Sequence, residues 1–228
     1  MPQLRQAAQP TVADQVFDVL QARILTLELP PRTKLSEAEV AARLGVSRQP
    51  VREAFKRLAK LGFLDIRPQS GTHVSLISEA SVRKARFIRM ALEIQTCRTA
   101  CEVLPSEGLA ALGELIERQK DAIAASDRER FHQLDDRFHE EICVRSGVGY
   151  AWDVIRENKA HMDRVRMLTL DTSSQNKALA EHIAILEALT ARDADAAAVA
   201  ISGHLSRILV QIDALKADSH DWFADADE

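Results

Sequence analysis

"GVSRQPVREAFKRLAKLGF", residues 45–63, decides how the rest of this chain is read. Val46, Val51, Leu58 and Leu61 recur at helical spacing, and Arg48, Arg52, Lys56, Arg57 and Lys60 fill polar positions between them. Such a stretch is either a solvated basic helix or a helix that meets a polyanion. The flanking sequence chooses between the two.

Upstream, residues 11–27 place Val12, Val16, Val19/Leu20 and Ile24 on one helical face, with Thr11 as N-cap. Pro30–Pro31 then enforces extended chain. Ser36 opens a second helix with Glu39 three residues on, the spacing of a capping box, and Val40 and Leu44 face inward. Gly45 stops that helix. Ser47 is the expected cap of the third, where Pro50 falls in the tolerated first turn, and Gly62 ends it. Downstream, "FLDIRP", "QSG" and "THVSLI" read as strand, turn and strand. Helix, helix, Gly turn, helix and hairpin is the order of a winged helix-turn-helix, which favours the polyanion. In that geometry the third helix enters the major groove of double-stranded DNA with its N-terminal residues leading, and the hairpin leans on the backbone or minor groove.

Charge supports a split chain. The 228 residues carry a net charge of −4. Residues 1–78 hold 11 Lys and Arg against 7 Asp and Glu, +4, while residues 79–228 hold 19 against 27, −8. A basic module followed by an acidic one fits a nucleic-acid partner for the first. Cys97, Cys101 and Cys143 have neither zinc-ribbon nor redox spacing and read as reduced thiols, Cys97 and Cys101 lining a core one helical turn apart. No run approaches the ~18 apolar residues of a membrane span and the N-terminus lacks a secretory h-region, so a cytoplasmic protein without a membrane partner is expected.

At the front of the third helix, Ser47, Arg48, Gln49 and Arg52 are the candidate DNA contacts. Arginine can pair with guanine O6 and N7, and glutamine with the adenine edge. Lys56, Arg57 and Lys60 suit phosphates or the domain's own surface. In the wing, Arg67, Gln69, Ser70, Gly71 and Thr72 can approach the sugar-phosphate chain.

From residue 79 onward helical patterns cover about 79–104, 107–125, 128–146, 149–170, 174–191 and 194–217, an antiparallel bundle. The expected fold is therefore mainly α: a winged helix-turn-helix over residues 1–78 and an all-α bundle over 79–228. The acidic tail reads as frayed, with Trp222 and Phe223 able to dock. Within the bundle, Asp135 and His139 lie four residues apart on the face that carries Phe131, Leu134, Phe138 and Ile142. His182 shares a stripe with Ile185, Leu186 and Leu189, and His204 shares one with Ile201, Leu205 and Ile208. One inward histidine is usually a core residue satisfied by a hydrogen bond. Three with a carboxylate are costly to bury unpaired, and a divalent metal takes up all four, with Zn²⁺ expected first and Ni²⁺ or Mn²⁺ also suited. His73, His132, His161 and His220 share no such stripe.

The stretch from Lys34 to Val74, "KLSEAEVAARLGVSRQPVREAFKRLAKLGFLDIRPQSGTHV", resembles the DNA-binding domain of the GntR family of bacterial transcriptional regulators. That resemblance implies base contacts by Arg48 and Arg52 and a wing glycine, Gly71, near the minor groove. Many members carry an arginine early in the second helix where this chain has Ala38. "LDDRFHEEI", "EHIAILEAL" and "GHL" resemble the FCD-type bundle of the FadR subgroup, whose metal-binding members use residues matching Asp135, His139, His182 and His204. "RMALE", residues 89–93, matches a motif whose arginine, here Arg89, commonly meets an effector carboxylate. The family's usual Gly-Asn is Gly147-Val148 here.

Together these imply a regulator that grips a palindromic operator as a homodimer, with a small organic or sugar acid as effector. Arg89, Arg164 and Arg166 are the candidate effector-binding residues beside the metal. Rival readings are a metal-dependent hydrolase, a metal-free regulator binding a long acyl ligand, and a sensor of the metal itself.

Overall fold

The computed structural model describes residues 10–67, 70–218 and 220–224. The chain divides into two compact units, one running to Ile77 and rejoined by the tail from Asp221, the other spanning Ser78–His220.

In the first unit α1 (Val12–Leu25) starts at Thr11 with a reciprocal cap. The Thr11 hydroxyl accepts from Asp14 N at 3.1 Å, and the Asp14 carboxylate accepts from Thr11 N at 2.9 Å. β1 (Lys34–Leu35), α2 (Glu37–Leu44), α3 (Arg48–Lys60), β2 (Leu64–Arg67) and β3 (Gly71–Val74) follow. α1 buries Val16, Phe17, Leu20 and Ile24 against Val51, Ala54, Phe55 and Leu58 of α3.

Two expected caps take another form. Ser36 precedes α2 in the extended conformation of an N-cap, yet its hydroxyl makes no capping bond; Glu37 and Glu39 supply negative charge to the helix start. Ser47 precedes α3, and its hydroxyl also caps nothing. Pro50 occupies the third helical position and so removes one of the two N–H groups a cap can accept, leaving that of Gln49. The apolar stripe of α3 shifts as well. Leu61 is 40 % exposed, since Gly62 at φ +80 turns the chain and Phe63, not Leu61, enters the core. Phe63 N donates to Leu58 O at 2.9 Å, closing the helix as a Schellman-type end.

The wing has three strands, in the order β1-β3-β2, all antiparallel. β1 is the strand the sequence hid, being two residues long. It pairs Lys34 with His73 and Leu35 with Thr72. Gly71 sits at φ +98, a conformation that calls for glycine; a Cβ there would lie 3.3 Å from Cε of the exposed Lys34 side chain, which can shift. Gln69 lies outside the described residues. The tail joins this unit and not the bundle: Ile77 N donates to Trp222 O at 2.8 Å, Ala224 N to Ile77 O at 3.0 Å, and Phe223 is buried.

The second unit contains α4 (Glu79–Val103), α5 (Ser106–Ala124), α6 (Arg128–Arg145), α7 (Gly149–Thr169), α8 (Thr172–Thr190) and α9 (Ala194–Asp218). Side chains of Ser78, Asp127 and Asp171 cap α4, α6 and α8. α4 packs on α9 and α7, α5 on α6 and α8, and α8 on α9, around a core that includes Cys97, Leu112, Phe131, Phe138, Ile185 and Ile201. By length and composition α9 can cross a membrane, with a mean hydropathy of 1.2 over 18 residues, contrary to the expectation of no such run. Its stripe of Ala197, Ile201, Leu205, Ile208 and Ile212 is buried in the bundle, as a core helix requires.

α4 ends without a basic residue of its own, and Arg192 fills that role. Its guanidinium donates to Ala100 O and Cys101 O, both at 3.2 Å, and to Leu104 O at 2.5 Å. Arg192→Ala is expected to destabilise the bundle by about 1–2 kcal/mol, a charged hydrogen-bond set discounted for its partial exposure, read as a lower urea midpoint at unchanged slope.

Candidate metal centre and nucleic-acid interface

The leading end of α3 presents Ser47, Arg48, Gln49 and Arg52 together, all exposed. With no cap to make, the Ser47 hydroxyl is available to a phosphate oxygen. Arg48 makes no ion pair among the described residues, whereas Gln49 donates to Glu53 at 3.0 Å. Arg52 is held by Glu37 at the start of α2: Nε lies 3.2 and 3.1 Å from the two carboxylate oxygens and Nη2 lies 3.0 Å from Oε2. That hydrogen bonding raises the Arg52 pKa and fixes one edge of the guanidinium, leaving its Nη1 edge for another acceptor. Arg57 serves its own domain, 2.7 Å from Asp14 and 4.1 Å above the Phe17 ring. Ser70, Gly71 and Arg67 are exposed at the wing, Thr72 is half-buried, and Arg67 pairs with Asp65 at 2.5 Å.

In the bundle, α6 brings Asp135 and His139, α8 brings His182 and α9 brings His204 to one place. All four are buried, and one ligand atom from each lies within 4.8 Å of the others. The imidazole centroids are 5.2, 5.0 and 4.7 Å apart. His182 Nε2 is 3.4 Å from Asp135 Oδ1, and His139 Nε2 is 4.0 Å from Asp135 Oδ2. Two ligands bound at ~2.1 Å to a common ion span up to about 4.2 Å, so both separations fit a shared cation.

The outer nitrogens of the three rings all face side-chain oxygens; those of His182 and His204 are hydrogen-bonded, while His139 Nδ1 meets Glu93 as an ion-pair contact without hydrogen-bond geometry. His139 Nδ1 is 2.6 Å from Glu93 Oε2, His182 Nδ1 is 2.8 Å from Gln119 Oε1, and His204 Nδ1 is 2.8 Å from Glu181 Oε2. At His182 and His204 an acceptor at Nδ1 holds the hydrogen there and leaves Nε2 as the lone-pair donor, the arrangement of an imidazole poised for a metal. Asp135 Oδ2, both ring nitrogens of His139 and His182 Nε2 are buried without a hydrogen-bond partner among the described residues. Isolated core histidines satisfied one by one would not leave this set of atoms facing one another, so the donor set fits a divalent cation.

Electrostatics agree. Burial holds the His182 and His204 pKa values well below the usual imidazole value, which keeps both rings neutral as ligands must be. Burial pushes the Asp135 carboxyl upward, but the Arg166 guanidinium paired with it prevails and holds it well below the usual carboxylate range.

Of the three candidate effector arginines, two reach the site. Arg89 and Arg166 border a small cavity together with His204, Arg207, Gln211, Met162, Leu205 and Ile208. Its volume is about 10 Å³, room for one water. Arg89 pairs with Glu93, and its Nη2 is buried without a hydrogen-bond partner among the described residues. Arg164 does not line this cavity. Two residues from both Met162 and Arg166, it projects from the other side of α7. It is buried there, its pKa brought down to about 10 by desolvation.

Sequence reasoning missed the carboxylates and amide behind the rings. Glu93 was legible in principle, four residues after Arg89; Gln119 and Glu181 carry no local signal. It also missed a second group. His132 and Asp136 on α6 meet Asp163 on α7, with Lys159 Nζ 2.8 Å from Asp136 and 2.6 Å from Asp163. In that group a lysine already supplies the positive charge.

Comparison with known proteins accords with both units. The model of "Bacterial regulatory proteins, gntR family" matches residues 12–74, and that of the FCD domain matches residues 85–207. The chain is similar to the HTH-type transcriptional repressor RspR of Escherichia coli strain K12, 38 % identical over 94 % of each chain. It is equally similar to the HTH-type transcriptional regulator YdfH of Shigella flexneri, 38 % identical over 94 % of each. Among solved structures, Escherichia coli McbR/YncC aligns with a TM-score of 0.74 over 90 % of this chain and 99 % of that one, at 22 % identity, a likeness of fold. These families and relatives are regulators, which removes the hydrolase reading. The chain belongs to the GntR family of bacterial regulatory proteins, a DNA-binding transcriptional regulator with an FCD domain.

Proposed function

We propose that this regulator is a cytoplasmic repressor that binds a palindromic operator as a homodimer and carries one divalent cation per chain at Asp135, His139, His182 and His204. Zn²⁺ is the first expectation, with Ni²⁺ and Mn²⁺ as the other ions suited to imidazole and carboxylate. A small organic or sugar acid engages Arg89 and Arg166 beside it; Arg164 has no part in this reading. In the head, Arg48, Gln49 and Arg52 meet base edges while Ser47, Gly71 and Thr72 meet the backbone. Repression is the sense in the name of the relative RspR.

The observation that carries the reading is the set of unpartnered buried donors, Asp135 Oδ2, His139 Nε2 and His182 Nε2, aimed at one another, with the outer nitrogens of His182 and His204 hydrogen-bonded and that of His139 facing Glu93. A bound cation offers a Lewis-acid point for a carboxylate oxygen. The chain's own groups hold and orient around it: Glu93, Gln119 and Glu181 fix the rings, Arg166 fixes Asp135, and the walls of α9 exclude bulk water. An effector then favours one of two arrangements of the protein, and operator affinity follows the shift in populations. The small volume of the cavity favours a second reading as well, in which the ion itself is the signal.

Elemental and native mass analysis of purified protein tests the first claim: one divalent ion per chain is expected. Operator binding measured after chelation, after metal return, and with organic acids added then separates the two readings. A response to metal alone selects the metal signal, and a response requiring both selects the acid. Protein that retains no metal under any condition overturns both.

A further inference from the structure

Each guanidinium group beside the small cavity is tied to a candidate metal ligand through one carboxylate. Arg166 pairs with Asp135 itself. Arg89 pairs with Oε1 of Glu93, whose Oε2 faces His139 Nδ1 at 2.6 Å. Arg207 Nη1 lies 2.9 Å from Glu181 Oε2, and that same oxygen lies 2.8 Å from His204 Nδ1. The third connection differs from the second in two ways. One oxygen serves both neighbours, so guanidinium and imidazole compete for its charge. The side chains of Arg207 and Glu181 also keep 19 % and 28 % exposure, whereas those of Arg89 and Glu93 keep 1 % and 4 %. The Nη1 atom facing Glu181 is buried, and the exposed remainder of the Arg207 side chain is where an anion from solvent arrives.

We propose that Glu181 is a positioning carboxylate shared between Arg207 and His204, which couples anion occupancy at Arg207 to the strength with which His204 holds a divalent cation. An anion on Arg207 offsets positive charge that now faces Glu181 across an ion pair without hydrogen-bond geometry. Glu181 then acts on His204 alone, and a carboxylate on Nδ1–H makes Nε2 the stronger donor. Anion occupancy tightens the cation, and by reciprocity the cation tightens the anion. Neighbouring charges favour the same sense. Arg89, Arg166 and Arg207 are each matched by one carboxylate, so a divalent cation leaves the site with positive charge that an anion offsets. Gln211, one turn beyond Arg207 on α9, donates to Ser174 at 3.3 Å and borders the same cavity. It is a second, half-buried polar group beside Arg207.

The inference rests on the metal reading above, and its test keeps the two apart. Zn²⁺ affinity is measured by competition with a chromogenic chelator for the full-length protein, Glu181→Gln, Arg207→Gln and the double variant. Glu181→Gln keeps an acceptor on Nδ1 but removes the charge, and weakens Zn²⁺ by roughly tenfold or more. Arg207→Gln imitates the anion-occupied state and tightens Zn²⁺ several-fold. In the Glu181→Gln background the same replacement has little effect, so the cycle is non-additive. Should Glu181→Gln not fold, Arg207→Gln alone decides: tighter Zn²⁺ supports the coupling and unchanged or weaker Zn²⁺ overturns it. An equal effect of Arg207→Gln in both backgrounds also overturns it, since Arg207 then acts on the ion without Glu181. If the unmodified protein binds no Zn²⁺, the metal reading itself falls and this inference with it.

Discussion

Replacing His182 with alanine is expected to abolish stoichiometric metal retention and to remove the metal-dependent part of the bundle's thermal stability. The expected size follows from linkage. A cation at 100 to 1,000 times its dissociation constant stabilises the folded chain by roughly 2.7–4.1 kcal/mol. For a bundle of this size that is a shift of roughly 6–15 °C in Tm. The variant also loses core packing, because the His182 ring stacks on Phe138 at 4.7 Å and its Nδ1 engages buried Gln119. A lower Tm alone therefore proves little. The diagnostic quantity is the response to a chelator: the unmodified protein should lose its increment, while His182→Ala should show none to lose. Equal chelator responses, or unchanged metal content, would remove His182 from the ligand set.

Acid should act on the metal-free protein through the same residues. His182 and His204 are kept neutral by burial, so below the unfolded imidazole pKa of about 6.5 the unfolded chain binds protons that the folded chain refuses. Stability falls as pH drops through that value. Asp135, whose folded pKa is depressed, adds its own loss at lower pH, as it approaches protonation.

How much of this was legible beforehand depends on the range of the interaction involved. The bundle helices declare themselves through local periodicity and capping residues, and α4 to α9 lie within a few residues of where spacing places them. The inward set of Asp135, His139, His182 and His204 was legible for the same reason, since each sits on a stripe with apolar neighbours. β1 was not legible, because two residues carry no period and its pairing with β3 is a tertiary fact. Ser47 takes the cap position without the cap bond; the sequence shows in Pro50 the loss of one of the two donors, but cap position and cap bond are separate matters. Arg164 and Arg166 look alike in sequence, two residues apart on a helix with both sides buried. Only the packing of α9 assigns one to the cavity and the other away from it. Glu181 escaped notice because its partners, Arg207 and His204, belong to a different helix.

Arg52→Ala is expected to cost about 1–3 kcal/mol of discrimination between operator and random duplex, roughly 5- to 150-fold, with the fold intact. Three features place the loss toward the upper end. Arg52 is exposed at the leading end of α3, so its removal disturbs no core. The start of α2 has Ala38 between Glu37 and Glu39, which leaves no cation there to substitute. Glu37 also grips Nε and Nη2 of Arg52 and so presents the remaining guanidinium edge in a fixed direction, which lowers the ordering cost of a paired contact to guanine. Two comparisons separate base reading from charge. Lys60→Ala should weaken all duplexes alike and reduce the salt slope by about one unit, without changing discrimination. Glu37→Gln should keep the charge of Arg52 but loosen its aim, so discrimination falls while affinity for random duplex holds or rises. Anisotropy titrations over a salt series, using an operator obtained by enrichment from random duplexes, read all three. Discrimination unchanged in Arg52→Ala would show that this arginine serves the phosphates and that Arg48 and Gln49 do the reading.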